Sequence, residues 1–135
     1  MRSTITHVNV MFEPISEAER EIMEVLWRRS PRSAEEILAE VGPRQRWQEG
    51  TVKSLLNRLL RKRAVKATRD GRRYLYRPLL VRERYVLEES KSLLDRLFGG
   101  RVAPLVAHFS EQRKLSKKDI AELKRLIGEL DDERN

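Results

Sequence analysis

Apolar residues recur at helical spacing soon after the start of the chain. Ile22, Met23, Val25 and Leu26 follow Ser16 and Glu19, whose three-residue spacing is that of a capping box. This first helix is expected to run to Trp27 and to stop at Pro31. Ser33 and Glu36 repeat the box ahead of Ile37, Leu38 and Val41, a short second helix that Gly42-Pro43 is expected to end. A polar, basic connection from Arg44 to Glu49 contains Trp47. From about Gly50 to Lys62, Val52, Leu55, Leu56, Leu59 and Leu60 mark one buried helical face. The period then shortens. Val65 to Thr68 and Arg73 to Arg77 read as two short strands, with Asp70-Gly71 between them as a hairpin signal and Pro78 as a stop.

Beyond Pro78 the pattern is helical again. A long helix from Arg82 to Phe98 carries Tyr85, Val86, Leu87, Leu93, Leu94, Leu97 and Phe98, and Gly99-Gly100 breaks it. A short helix follows with Val102, Leu105, Val106 and Phe109 inward. Ser116 and Asp119 cap a last helix bearing Ile120, Leu123, Leu126, Ile127 and Leu130. The expected fold is mainly α with a small β-hairpin. It comprises an N-terminal extension over 1–13, a winged helix-turn-helix over 14–80 and a helical dimerisation region over 81–135. The extension is expected to be disordered, with Met11 a candidate start. The C-terminal stripes have little else to bury them against, so a two-fold dimer is expected, the alternative being that they fold back on the winged-helix core. Its contacts are assigned to Tyr85, Leu93, Leu94, Leu97, Phe98, Leu105, Val106, Phe109, Leu123 and Leu126.

Composition narrows the picture. The chain has 135 residues, 39% hydrophobic and 37% charged, which suits one small domain plus solvated helices. Without cysteine there is no disulfide framework, thiolate metal site or thiol nucleophile. No apolar run has bilayer-spanning length, and the first dozen residues lack the apolar core of a signal peptide. A cytoplasmic location without membrane attachment is the resulting expectation.

Charge supplies the functional clue. Between Arg44 and Arg77 lie nine Arg and three Lys, opposed only by Glu49 and Asp70, while the whole chain has a net charge of +8. The stretch from Arg82 onward is nearly balanced. One sign of charge concentrated on a helix and a hairpin suits a polyanion, here duplex DNA. A merely solvated face usually mixes signs. In a winged helix the third helix is the one offered to the major groove. Its candidate contacts are Thr51, Lys53, Ser54, Asn57, Arg58, Arg61 and Lys62, with Arg46 before the helix and Arg69, Arg72 and Arg73 at the wing tip. Arg and Lys suit guanine edges and phosphates, Asn suits adenine, and Ser and Thr suit bases or backbone.

Other classes of function find less support. The only histidines, His7 and His108, lie in unrelated segments, and no nucleophile–base pair, phosphate-cradling loop or metal-ligand cluster appears. No catalysis, cofactor or metal is expected. A winged-helix module for protein partners would carry an apolar or mixed-sign wing. A ligand-sensing regulator with a pocket between the C-terminal helices would need a convergent polar cluster, which the sequence does not display.

Several runs carry a more specific signal. They are Ile15-Ser16-Glu17-Ala18-Glu19, Val25-Leu26-Trp27, Thr51-Val52-Lys53-Ser54-Leu55-Leu56-Asn57-Arg58-Leu59 and Tyr74-Leu75-Tyr76-Arg77-Pro78. In the tail they are Phe98-Gly99-Gly100, Leu105-Val106-Ala107-His108-Phe109 and Leu115-Ser116. Taken in this order, the chain from Ile15 to Leu130 resembles the penicillinase-repressor family (BlaI/MecI type) of winged-helix regulators. The resemblance implies a homodimeric repressor on an inverted-repeat operator. It also implies a sensor protease as a candidate partner, relieving repression by cleavage in the dimerisation region.

The chain departs from that pattern in three places. The family usually has Lys-Gly after the third helix, where this chain has Lys62-Arg63, so Arg63 must take a left-handed conformation or the helix must end differently. The family's scissile bond follows an Asn before Phe. The corresponding pair here is His108-Phe109, and Phe109 reads more readily as a dimer-core aromatic. The cysteine cluster of the family's copper-responsive branch is missing, which excludes copper sensing by that route.

Overall fold

A computed structural model describes residues 13–134. The N-terminal extension and Met11 therefore lie outside the described residues. The elements run α1 (Glu17–Arg28), β1 (Arg32–Ser33), α2 (Ala34–Gln45), α3 (Glu49–Arg61), β2 (Val65–Asp70), β3 (Arg73–Pro78), α4 (Arg82–Phe98), α5 (Val102–Glu111) and α6 (Lys117–Arg134). The fold is mainly helical with a winged helix-turn-helix at its N-terminal end. The division between two compact units falls inside α4, between Val86 and Leu87.

Both expected capping boxes form. Ser16 Oγ accepts from Glu19 N–H at 3.1 Å and Glu19 Oε1 accepts from Ser16 N–H at 2.8 Å. Ser33 and Glu36 repeat this with the same distances, 3.1 and 2.8 Å. Each box satisfies two amide donors that an isolated helix start leaves open.

The second helix does not end at Gly42-Pro43. It continues through Pro43 to Gln45 and stops where Arg46 turns left-handed, φ 61°. Gly42 is buried inside the helix, where a Cβ would lie 2.9 Å from Leu38 Cδ1 and 3.3 Å from the Trp47 carbonyl. Glycine here serves close packing rather than termination, and the Trp47 amide bonds back to the Gly42 carbonyl at 3.0 Å.

Helix α3 ends in a Schellman motif. Arg63 N–H reaches the Leu60 carbonyl at 3.1 Å and Ala64 N–H reaches the Leu59 carbonyl at 2.9 Å. Arg63 sits at φ 63° in the left-handed region. Of the two alternatives in the sequence, the chain accepts the strained conformation, which costs a side-chain-bearing residue about 1–2 kcal/mol.

The wing is part of a three-stranded antiparallel sheet ordered β1-β3-β2. Ser33 of the unforeseen strand β1 pairs with Leu75. Asp70 pairs with Arg73, so the two-residue loop is Gly71-Arg72, one position later than expected. Gly71 takes φ 67°, as the first position of such a tight turn requires.

One apolar core holds the first unit together. Ile22, Met23, Leu26, Ile37, Val41, Val52, Leu56 and Leu59 are each at most 1% exposed, and Val65 and Leu80 close the core from the wing side. Tyr85, expected at a dimer surface, packs against this core instead, its ring 5.5 Å from that of Trp27.

The second unit is built differently. None of the residues of α4, α5 or α6 is buried. Val102 and Phe109, expected to point inward, are 58% and 42% exposed in the single chain. Gly99 and Gly100 both take positive φ, ending α4 where expected. Ser116 Oγ accepts from Asp119 N–H at 3.0 Å, which caps α6. An apolar cleft of about 270 Å3 is lined by Leu105, Val106, Phe109, Leu115 and Leu123, with Asp119 and Glu122 beside it. No helix among the described residues is long and apolar enough to cross a membrane.

Candidate nucleic-acid interface

Helix α3 owes its two faces to its spacing. Val52, Leu55, Leu56 and Leu59 are buried, which turns Thr51, Lys53, Ser54, Asn57, Arg58 and Arg61 outward to solvent. Thr51, Ser54, Asn57, Arg58 and Arg61 have no side-chain hydrogen bond or ion pair among the described residues. Lys53 is the exception, since Glu49 lies 3.0 Å from its ammonium and holds its pKa above the ordinary lysine value. An exposed i, i+4 pair of this kind is weak and exchanges readily for another anion.

The wing adds a second set. Arg69 bonds the Gly71 carbonyl at 3.1 Å and lies over the Tyr74 ring at 5.7 Å, a local arrangement that stiffens the hairpin. Arg73 faces Asp70 at 3.5 Å, while Arg72 is exposed and has no partner among the described residues. A cleft of about 130 Å3 brings Lys53, Arg72 and Arg73 together with Glu35, Tyr74 and Tyr76. Burial pushes the Tyr76 hydroxyl up, with Lys53 opposing, so it stays a neutral donor. Arg46 is exposed at the turn before α3. It lines an open cleft of about 510 Å3 with Leu38, Ala39, Gly42, Pro43, Trp47 and Gln48.

Lys62 corrects the expected face. Its ammonium lies 2.7 Å from Glu19 Oε1 and 2.8 Å from the Pro14 carbonyl, with its side chain only 20% exposed. It points toward the start of α1, not outward with Asn57 and Arg58, because Glu19 and the Pro14 carbonyl draw its ammonium across the end of the helix. Three cations were passed over. Arg63, Lys66 and Arg77 are exposed and have no ion-pair partner among the described residues. Lys66 and Arg77 stand directly opposite each other in the hairpin, a like-charge cross-strand pair that costs stability unless an anion lies between them. The alternation of the strands around the hairpin loop was the signal that points to them.

The arrangement is a cationic surface of a helix and a hairpin, held on an apolar core. It offers donors and no paired nucleophile and base. Residues 15–129 match the family model described as penicillinase repressor. The chain is 32% identical over 115 residues to the penicillinase repressor of Bacillus licheniformis, covering 85% of this chain and 90% of that one. It is 28% identical over 116 residues to the penicillinase repressor of Staphylococcus aureus, covering 86% and 92% respectively. The solution structure of the DNA binding domain of the repressor BlaI aligns with 53% of this chain and 87% of that one, at 32% identity and a TM-score of 0.49. The chain belongs to the penicillinase repressor family and is a winged-helix, DNA-binding transcriptional repressor.

Proposed function

We propose that the protein acts as a homodimer on an inverted-repeat operator, with α3 in the major groove and the wing tip on the flanking backbone. The carrying observation is a division of labour. Every buried residue of the described chain lies between Glu19 and Leu80, so the head closes its own core. Leu93, Leu97, Phe109, Leu126 and Leu130 stay 37% to 62% exposed, an apolar surface suited to a second copy. Two heads joined through that surface make the second half-site an intramolecular event and raise operator affinity without any new DNA contact.

Within this reading Asn57 and Arg58 are the candidate base readers, and Arg46, Arg61, Arg69, Arg72 and Arg73 position the backbone. Thr51, Lys53 and Ser54 serve either role. Proteolytic relief at His108-Phe109 would act by removing α6 from the dimer surface. The His108 carbonyl accepts from the N–H of the cap residue Gln112 at 3.1 Å, closing the last turn of α5, so that turn must unwind before a protease can hold it extended. Mapping the sites this protein occupies on its own genome tests the proposal. A recurrent motif with two-fold symmetry is the expected result, and sites of a single unrepeated motif would refute the dimeric arrangement.

A further inference from the structure

We infer that Glu19 and Lys62 form a positioning pair that sets the pose of α3 and the wing together, and thereby the sequence selectivity of the head. The inference rests on the reading of α3 and the wing as the DNA-contacting elements. Glu19 is 1% exposed and lies in the first turn of α1, forty-three residues from Lys62 in sequence. Its Oε1 accepts from both the Ser16 amide and the Lys62 ammonium, at 2.8 and 2.7 Å. The same ammonium reaches the Pro14 carbonyl at 2.8 Å. Lys62 is thus anchored on two acceptors at the start of α1.

Its place in the chain makes the anchor consequential. Lys62 is the cap residue of α3, Arg63 makes the left-handed turn, and Ala64 leads directly into the wing strand β2. The Ala64 carbonyl then accepts from Leu79 and Leu80 N–H, at 2.8 and 3.0 Å, where the chain leaves the wing. The end of the groove helix and both ends of the hairpin therefore meet within three residues, and the Glu19–Lys62 pair ties that junction to α1. Such a pair is a weak source of net stability, because taking two charges out of water offsets most of their attraction. What it supplies is geometry. Two hydrogen-bonded charges define a distance and direction that a sliding apolar contact does not. Base readout depends on side chains held to a fraction of an ångström, whereas phosphate contact tolerates more.

The test uses the intact chain and two duplexes. One is the tightest-binding sequence that the intact chain selects from a randomised pool, the other a scrambled duplex of equal length. Lys62→Met should bind the selected duplex about tenfold more weakly and the scrambled one as before, with an unchanged salt slope on both. Glu19→Gln, which retains an acceptor for Ser16, should show the same pattern, and the double variant should be no worse than either single one. Lys62→Arg should restore selectivity. Circular dichroism checks that each variant is folded, and Glu19→Gln carries the comparison should Lys62→Met unfold. Equal losses on both duplexes, with a salt slope shallower by about one, would make Lys62 a phosphate contact and overturn the inference. Undiminished selectivity in both single variants would also overturn it. An intact chain that selects no sequence at all would instead overturn the DNA reading on which the pair rests.

Discussion

The indole N–H of Trp27 donates to the Leu80 carbonyl at 2.7 Å, joining the last turn of α1 to the chain just beyond the wing. Arg82 lies over the same ring and bonds Glu24, and Tyr85 packs beside it. The first turn of α4 is thereby part of the head. Trp27→Phe keeps most of the apolar contact but leaves a half-buried carbonyl without its donor. It should lower unfolding free energy by about 1–2 kcal/mol, measured by urea denaturation. An unchanged midpoint would show that water replaces the indole at no cost.

Stability should fall in acid, with a sign set by several carboxylates. Burial raises the Glu19 pKa, but Lys62 and Ser16 outweigh it and hold the value below 4.5. Arg82 is the chief cause of the lowered pKa of Glu24, and Arg28 that of Glu40. These groups bind protons more weakly folded than unfolded, so their contribution is present above pH 4.5 and is lost as pH drops through their lower folded values. Thermal midpoints should therefore decline below about pH 4.5. Glu19→Gln should shallow that decline, whereas an identical slope would remove Glu19 from the account.

Affinity for DNA should be steeply salt-dependent. If a dimer neutralises about six to ten phosphates, affinity should drop by roughly three to five decades between about 50 and 200 mM salt. Titration of a labelled duplex at several salt concentrations measures this. A nearly flat response would rule out the cationic face as the source of affinity.

Side chains on the two DNA elements should differ in kind. Asn57→Ala and Arg58→Ala should each cost about 1–3 kcal/mol on the operator and little on random DNA. Arg72→Ala at the wing tip should weaken both by similar factors. Equal losses on both duplexes for the α3 variants would assign that face to orientation alone.

Removing the tail should separate folding from avidity. A chain ending at Gly99 retains every buried residue of the head, so it should fold. It should sediment as a monomer and bind the full operator near the level of one half-site. A truncated chain that stays dimeric and binds the operator as tightly as the intact one would overturn the assignment of the tail.

Much of this fold was legible in the sequence because its signals are local. Capping boxes act over three residues, the α3 stripe over two turns, and the hairpin over a tight loop, so Ser16, Ser33, Val52 to Leu59 and Gly71 announce their elements. The cationic character of the third helix and wing is likewise a property of composition, as is the contrast with the nearly neutral tail. Other features depend on what lies across the fold. Gly42-Pro43 looks like a helix end until Trp47 is seen packed against Gly42, which makes the glycine a contact and carries the helix on to Gln45. Lys62 belongs by period to the flank of α3, and only the nearness of Glu19 turns it toward α1. Tyr85 belongs by pattern to the tail, and its packing against Trp27 and the core draws it into the head. Local rules determine where elements begin and which face is apolar, because those energies arise within a few residues. The partner of a charge or an aromatic ring at an element's end is chosen by neighbours distant in sequence, and the tertiary structure alone decides it.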